Sequence, residues 1–292
     1  MTAEVAGWTP VPLVLQTDLD HGGRWTSLRT GTSLRTAGTD AREWLWHNED
    51  PATDAERLAV DPDAVAAGGG FVDAGGGEEC FPQVRGVPDH GIVWALPWTP
   101  EDTGVDGSAV ARVRTAYGTL VRRISDRDGT VRVDYEITAE RPFVHAAHLL
   151  LDLGEQARLE FPVDRAPMTV LDWPREGEVS RGSWPTLPVA EGRGGDDLSR
   201  FGPADGTARC AIVTGVDRAV VIDGGRALEI AWGSQSPIAA MVWRNLEGFP
   251  DQGPYRSIGF EPMLGTAAGM DEVGAVPAGR HHWWIEMTGR RS

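Results

Sequence analysis

The run TVRVDYEIT at residues 130–138 sets Val131, Val133, Tyr135 and Ile137 on one side and Thr130, Arg132, Asp134 and Glu136 on the other. Strict alternation of this kind is what a β-strand with one buried face requires, because successive side chains leave opposite faces of a sheet. Shorter runs of the same character recur at 24–29, 42–46, 109–117, 120–124, 157–161, 208–213, 228–232, 239–243 and 282–287, each bounded by Gly, Pro, Asp or Asn. The 37 glycines and 20 prolines are spread along the whole length. No window of about a dozen residues keeps a helical apolar period without meeting such a breaker. Asp128-Gly129 and Asp223-Gly224 each lie between two strand-like runs, where a tight hairpin turn favours Asp-Gly. The chain therefore reads as all-β and antiparallel.

Two stretches interrupt the rhythm, 48–79 and 173–206, and both are predicted as long loops of the kind that form functional rims. Strand signals continue on either side of them and no repeat period emerges, so a single domain over 1–292 is expected. With 41% hydrophobic residues in 292, the chain buries a core without needing disulfides or a structural metal. Cys80 and Cys210 are the only cysteines, lack C-x-x-C spacing, and read as two reduced thiols. Lys and Arg total 27 against 43 Asp and Glu, a formal charge of -16, which argues against a nucleic-acid partner. The start, MTAEVAGWTPVPLVLQ, has no basic region followed by an apolar run, and no stretch approaches the roughly 20 apolar residues of a membrane span. The expectation is a cytoplasmic protein with no membrane partner. Phosphate-binding loops, dinucleotide fingerprints and serine-nucleophile elbows are all missing from the sequence.

Few residues are left to carry chemistry. Histidine occurs seven times, and those inside strand-like segments are His90, His145, His148 and the pair His281-His282, the last read as structural. His145 and His148 are three apart, which on a strand sends them to opposite faces, so only one of them faces a given cleft. That spacing also argues against a metal site, and none is assigned. Glu261 stands alone as a charge in the apolar run SIGFEPMLG; it is either held in an ion pair or opens into a cavity, where burial would raise its pKa toward neutrality. Tryptophan is abundant at 12, with Trp94, Trp98, Trp173, Trp184 and Trp243 in or beside the predicted loops. One or two of these flat rings are expected at a pocket, where they suit the C–H faces of a sugar.

Taken in order, HGGRWTSLRTGTSLRTAGTDAREWLW, GGGEECFPQVRGVPDHGIVWALPW, PFVHAAHLLLDL and YRSIGFEPMLG resemble the aldose 1-epimerase (galactose mutarotase-like) superfamily over nearly the full length. The C-F-P-Q segment is also similar to the hexose-6-phosphate epimerase branch, although GGGEE stands where that branch has R-G-G. The resemblance implies a large antiparallel β-supersandwich and exchange of the α and β anomers of a sugar, without a cofactor. It assigns Glu261 as the base at the anomeric hydroxyl and His148 as the acid at the ring oxygen, reaching opposite sides of one pyranose. By the same resemblance His90, in the H-G pair, binds the sugar or shares acid duty. Arg85, Asp89, Trp243, Asn245 and Arg256 are the further candidates for substrate contacts. The family's binding Asp has no matching motif here. The implied partner is a small-molecule carbohydrate; the competing expectations are a carbohydrate-binding protein without turnover and an isomerase or lyase acting on a modified sugar.

Overall fold

The computed structural model describes residues 5, 7–31, 41–101, 107–173, 179–187 and 196–292. The alternating run becomes the strand Thr130–Ala139, with Val131, Val133, Tyr135, Ile137 and Ala139 buried. It pairs antiparallel with Gly118–Arg127 across Asp128-Gly129, both of which take positive φ (55° and 81°). That is the backbone a two-residue hairpin loop needs, and it explains the Asp-Gly pair. Arg218–Asp223 and Arg226–Ser234 form the second hairpin, its loop being Gly224-Gly225.

Two antiparallel sheets result. In the larger, Leu13–Asp18, Arg24–Thr30, Gly77–Cys80, His145–Leu151, Arg256–Leu264, Ile238–Leu246, Thr207–Thr214, Ala166–Trp173, Val179–Trp184, Thr186–Leu187 and Asp196–Asp197 hydrogen-bond in that order. In the other, the order is Arg158–Glu160, Arg218–Asp223, Arg226–Ser234, Gly279–Arg291, Thr130–Ala139, Gly118–Arg127, Ala109–Thr115 and Thr99–Pro100, with Thr9–Val11 also on Gly279–Arg291. Side chains of both sheets meet in one core, Trp25, Leu149, Phe260 and Val242 from the first and Tyr135, Leu120, Trp232 and Ile285 from the second.

His145–Leu151 is buried at every position and Arg256–Leu264 at all but its first. A strand covered on both faces reads as a continuous apolar run rather than as an alternation. The inner face packs on the opposite sheet. The outer face carries a second apolar cluster that includes Cys80, Ala146, Cys210, Met241 and Met263, and loops roof it over.

Several sequence expectations change here. Residues 42–46 make only isolated bridges. The Glu43 carboxylate accepts the backbone N–H groups of Leu28, Trp44 and Leu45, so a side chain does what a ladder would have done. The stretch 48–79 is not all loop: it holds helices Pro51–Leu58 and Pro62–Ala66 and ends in the strand Gly77–Cys80. Each helix starts on an Asp-Pro pair, with Asp50 accepting from Ala52 N at 2.9 Å and Asp61 from Asp63 N at 3.0 Å. Asp at the N-cap and Pro in the first turn are a start signal written in the sequence. Residues 173–206 contribute edge strands, while 174–178 and 188–195 lie outside the described residues. No helix among the described residues is long and apolar enough to cross a membrane.

Candidate active site

His148 and Glu261 face each other across neighbouring strands. The register pairs Phe260 with Leu149 and Met263 with Ala146, which sets residue 261 opposite residue 148 on the outer face. Their nearest atoms, His148 Nε2 and Glu261 Oε1, are 3.7 Å apart, and both side chains are buried. Glu261 Oε2 has no hydrogen-bond partner among the described residues. Burial lifts the Glu261 carboxyl to about 7, and burial together with the neighbouring His90 depresses the His148 imidazole to about 3. The two groups lie side by side on adjacent strands, so the expectation that they approach a sugar from opposite sides is corrected. Both face the cavity from the same side.

His145 points the other way, into the sandwich, where its Nε2 lies 3.3 Å from Glu79 Oε2. The three-residue spacing thus separates the two histidines as strand geometry demands.

His90 reaches the site from the loop after Cys80. Its φ of 58° is a left-handed backbone that few side chains adopt. The ring stacks on Phe71 at 3.9 Å between centroids and meets His148 edge-on at 5.0 Å. Its Nδ1 lies 3.3 Å from Asp89 Oδ2, and Asp89 Oδ1 lies 3.3 Å from Arg85 Nη1. Burial pushes the Asp89 carboxyl up, but the His90 imidazole and Arg85 outweigh it and hold the group below its ordinary value.

These residues line a cavity of about 380 Å³ under the loops of the larger sheet, within the size range of small-ligand sites. Trp243 lines it as well; its Nε1–H is already given to Ser257 Oγ at 3.1 Å, so the ring itself is what it presents. Trp94, Trp98 and Trp184 are core residues instead, and the side chain of Trp173 lies outside the described residues.

Two candidates do not line the cavity. Asn245 is buried and clamps the turn that follows it. Its Nδ2 donates to Phe249 O and Tyr255 O, and its Oδ1 accepts from Gly248 N and Phe249 N. Arg256 donates to the carbonyls of Leu153, Gly154 and Phe201. Both lie close in sequence to Glu261, but their positions on the strands carry them away from the cavity into loop-fastening roles.

Conversely, sequence reasoning missed Asp73 and Tyr255, which line the cavity together. Tyr255 Oη donates to Asp73 Oδ2 at 2.6 Å, and burial raises the Asp73 carboxyl above its ordinary value despite that bond. Asp73 occupies a Gly-rich segment with no strand pattern, and 182 residues separate it from its partner; nothing local marks the pair. The roof that carries it is fastened by Arg57 of helix Pro51–Leu58. Arg57 donates to Glu78 Oε1 and Oε2 at 2.8 and 2.9 Å and to the Trp94 carbonyl. Glu78 is opposite His148 in the register, so this ion pair ties helix Pro51–Leu58 to the strand beside His148.

Neither a protein-family model nor a curated protein sequence matches the chain. Solved structures do share its fold. A Synechocystis sp. PCC 6803 protein superposes with a TM-score of 0.63 at 15% identity, over 97% of this chain and 93% of that one. An Escherichia coli K12 protein provisionally assigned as an aldose 1-epimerase gives 0.63 at 15% identity, over 98% of this chain and 100% of that one. A galactose mutarotase-like protein from Lactobacillus casei ATCC 334 gives 0.60 at 15% identity, again over 98% and 100%. The chain has the galactose mutarotase-like fold, as the sequence resemblance implied.

Proposed function

We propose that the protein is an aldose 1-epimerase-like isomerase, exchanging the anomers of a hexose or related sugar by opening and reclosing its ring. The observation that carries this reading is the Glu261–His148 contact. A carboxyl and an imidazole 3.7 Å apart share a cavity, and the Glu261 Oε2 atom has no hydrogen-bond partner among the described residues.

Ring opening removes a proton from the anomeric hydroxyl and delivers one to the ring oxygen. Those two oxygens are bonded to the same carbon, so a base and an acid that are close neighbours suit the task better than groups on opposite sides of the ring. The pair holds one proton, which rests on Glu261, the group with the higher pKa. The reacting state is the minor form in which that proton has moved to His148, leaving Glu261 a carboxylate and His148 an imidazolium. Glu261 accepts the hydroxyl proton while His148 protonates the ring oxygen, the C–O bond breaks, and the open aldehyde rotates about its C1–C2 bond. Reclosure on the other face returns both protons. Electrons and protons balance within the sugar and the pair, so no cofactor is called for. His90, held by Asp89 and Phe71, is assigned to a sugar hydroxyl or to sharing the acid role, and Arg85, Asp89 and Trp243 to further sugar contacts.

Anomer exchange of freshly dissolved glucose and galactose, followed by polarimetry or NMR with and without protein, tests the assignment. The expected result is acceleration over spontaneous mutarotation. Sugar binding with no acceleration would instead make the protein a carbohydrate-binding module on the same fold.

A further inference from the structure

The outer face of the larger sheet is laid out in rows, and two of them form the cavity floor. One row runs Glu78, His148, Glu261, Met241 and Ile212 through paired strands. The adjacent row runs Leu150, Gly259, Trp243, Cys210 and Leu171. Beside the acid–base pair, the floor residues that line the cavity are therefore Met241, Trp243, Cys210 and Leu171. None offers a strong free hydrogen-bond group: the indole N–H is taken by Ser257, and burial pushes the Cys210 thiol up so that it stays a neutral, weakly bonding group. Asn48, Asp73, Tyr255, Arg85 and Asp89 gather the polar atoms on other parts of the wall.

We infer that the cavity is built for a deoxy sugar, a pyranose carrying hydrogen or methyl where a common hexose carries a hydroxyl. This rests on the anomer-exchange reading for the placement of the reacting carbon beside Glu261 and His148. A hydroxyl set down on the row of Met241, Trp243, Cys210 and Leu171 loses water and gains no partner, whereas a methyl group fits. Charge points the same way. Glu56, Asp73, Asp89 and Glu261 line the cavity against Arg85, which is in contact with Asp89. A 6-phosphate entering here meets an excess of carboxylates, so phosphorylated sugars are disfavoured.

The test is a matched panel of galactose, its 6-deoxy, 2-deoxy and 6-phosphate forms, and the same four forms of glucose. Binding is read by saturation-transfer NMR or calorimetry, and anomer exchange by NMR. At least one deoxy sugar is expected to bind about tenfold or more tighter than its parent, the scale on which an apolar pocket discriminates, and the 6-phosphates weakest of all. Met241→Gln with Cys210→Ser, which sets hydrogen-bonding groups into the floor, is expected to erase that preference while the urea midpoint shows the variant still folded. Parents or 6-phosphates binding as well as every deoxy form would overturn the inference, as would a preference untouched in the folded double variant. Selective deoxy-sugar binding without accelerated exchange would remove the isomerase reading and leave this one standing. If none of the sugars bound, both would fall.

Discussion

Strand His145–Leu151 carries a histidine beside a buried glutamate on each of its two faces, and the pairs differ in what else reaches the carboxylate. On the inner face, Glu79 Oε1 accepts from Arg122 Nη1 at 2.6 Å, Trp25 Nε1 at 3.0 Å and Tyr135 Oη at 3.0 Å, with His145 close to Oε2. Burial alone would push this carboxyl up, yet the His145 imidazole and the Arg122 guanidinium hold it at about 2. On the outer face Glu261 is just as buried; its ion-pair partner among the described residues is His148 at 3.7 Å, and burial outweighs the pull of His90 and Arg85, so it rises to about 7. One residue pair thus yields a carboxylate held in its charged form on one side of the sheet and a carboxyl pushed toward neutrality on the other. Counter-charge and hydrogen-bond donors make the difference, not depth of burial.

The largest effect is expected for Glu261→Gln, which should slow anomer exchange about 10²- to 10⁴-fold, the usual contribution of a positioned acid or base. Full activity in that variant, measured by NMR, would erase the distinction between the two faces. The same variant should gain stability. A carboxyl whose folded pKa lies above its unfolded value favours the unfolded chain progressively as pH rises between the two. The gain in the urea midpoint should therefore be absent below about pH 4.5, grow to about pH 7, and reach at most about 3 kcal/mol.

Next in size is Arg122→Met, which strands Glu79 in the interior and is expected to cost about 3–5 kcal/mol of unfolding free energy. A wild-type midpoint would show that Glu79 is not held as described. Because the Glu79 pKa is depressed, its share of stability is present above about pH 4.5 and drains away as pH falls toward about 2. Smaller still is the pH dependence of turnover. The one-proton state of the outer pair spans about pH 3 to about pH 7, so kcat/KM should hold below neutrality and fall above it; a profile rising through pH 8 would contradict the pair. The smallest change is assigned to His145→Asn, where exchange per folded molecule should stay near wild type. A large loss there would mean that the inner face takes part in the reaction.

Much of the fold is visible in the chain itself. Alternation at 130–138, the Asp-Gly turn at 128–129 and the Gly and Pro punctuation all act over a few residues, so they can be read without knowing their neighbours. The continuous apolar strands, such as Arg218–Asp223, and the strand Gly77–Cys80 with its two glutamates are less legible, because their burial on both faces is a property of the finished sandwich. The helices at 51–58 and 62–66 were announced by Asp-Pro pairs that the surrounding Gly and Asp obscured. At the site, His90, His148, Glu261, Arg85, Asp89 and Trp243 stand out by local pattern or resemblance, and all line one cavity. Asn245 and Arg256 share their neighbourhood in sequence but fasten loops. Asp73 and Tyr255 had no signal, since each acquires meaning only from the other.

Residue order by itself determined that this chain is an antiparallel β-structure and that His145 and His148 must part to opposite faces, because strand geometry repeats every two residues. Only the tertiary structure decided which glutamate is held as a charge and which is pushed toward its neutral form. The carboxyl pKa depends on whether groups as distant in the chain as Trp25, Arg122 and Tyr135 converge on it, and that convergence exists only once the two sheets have closed.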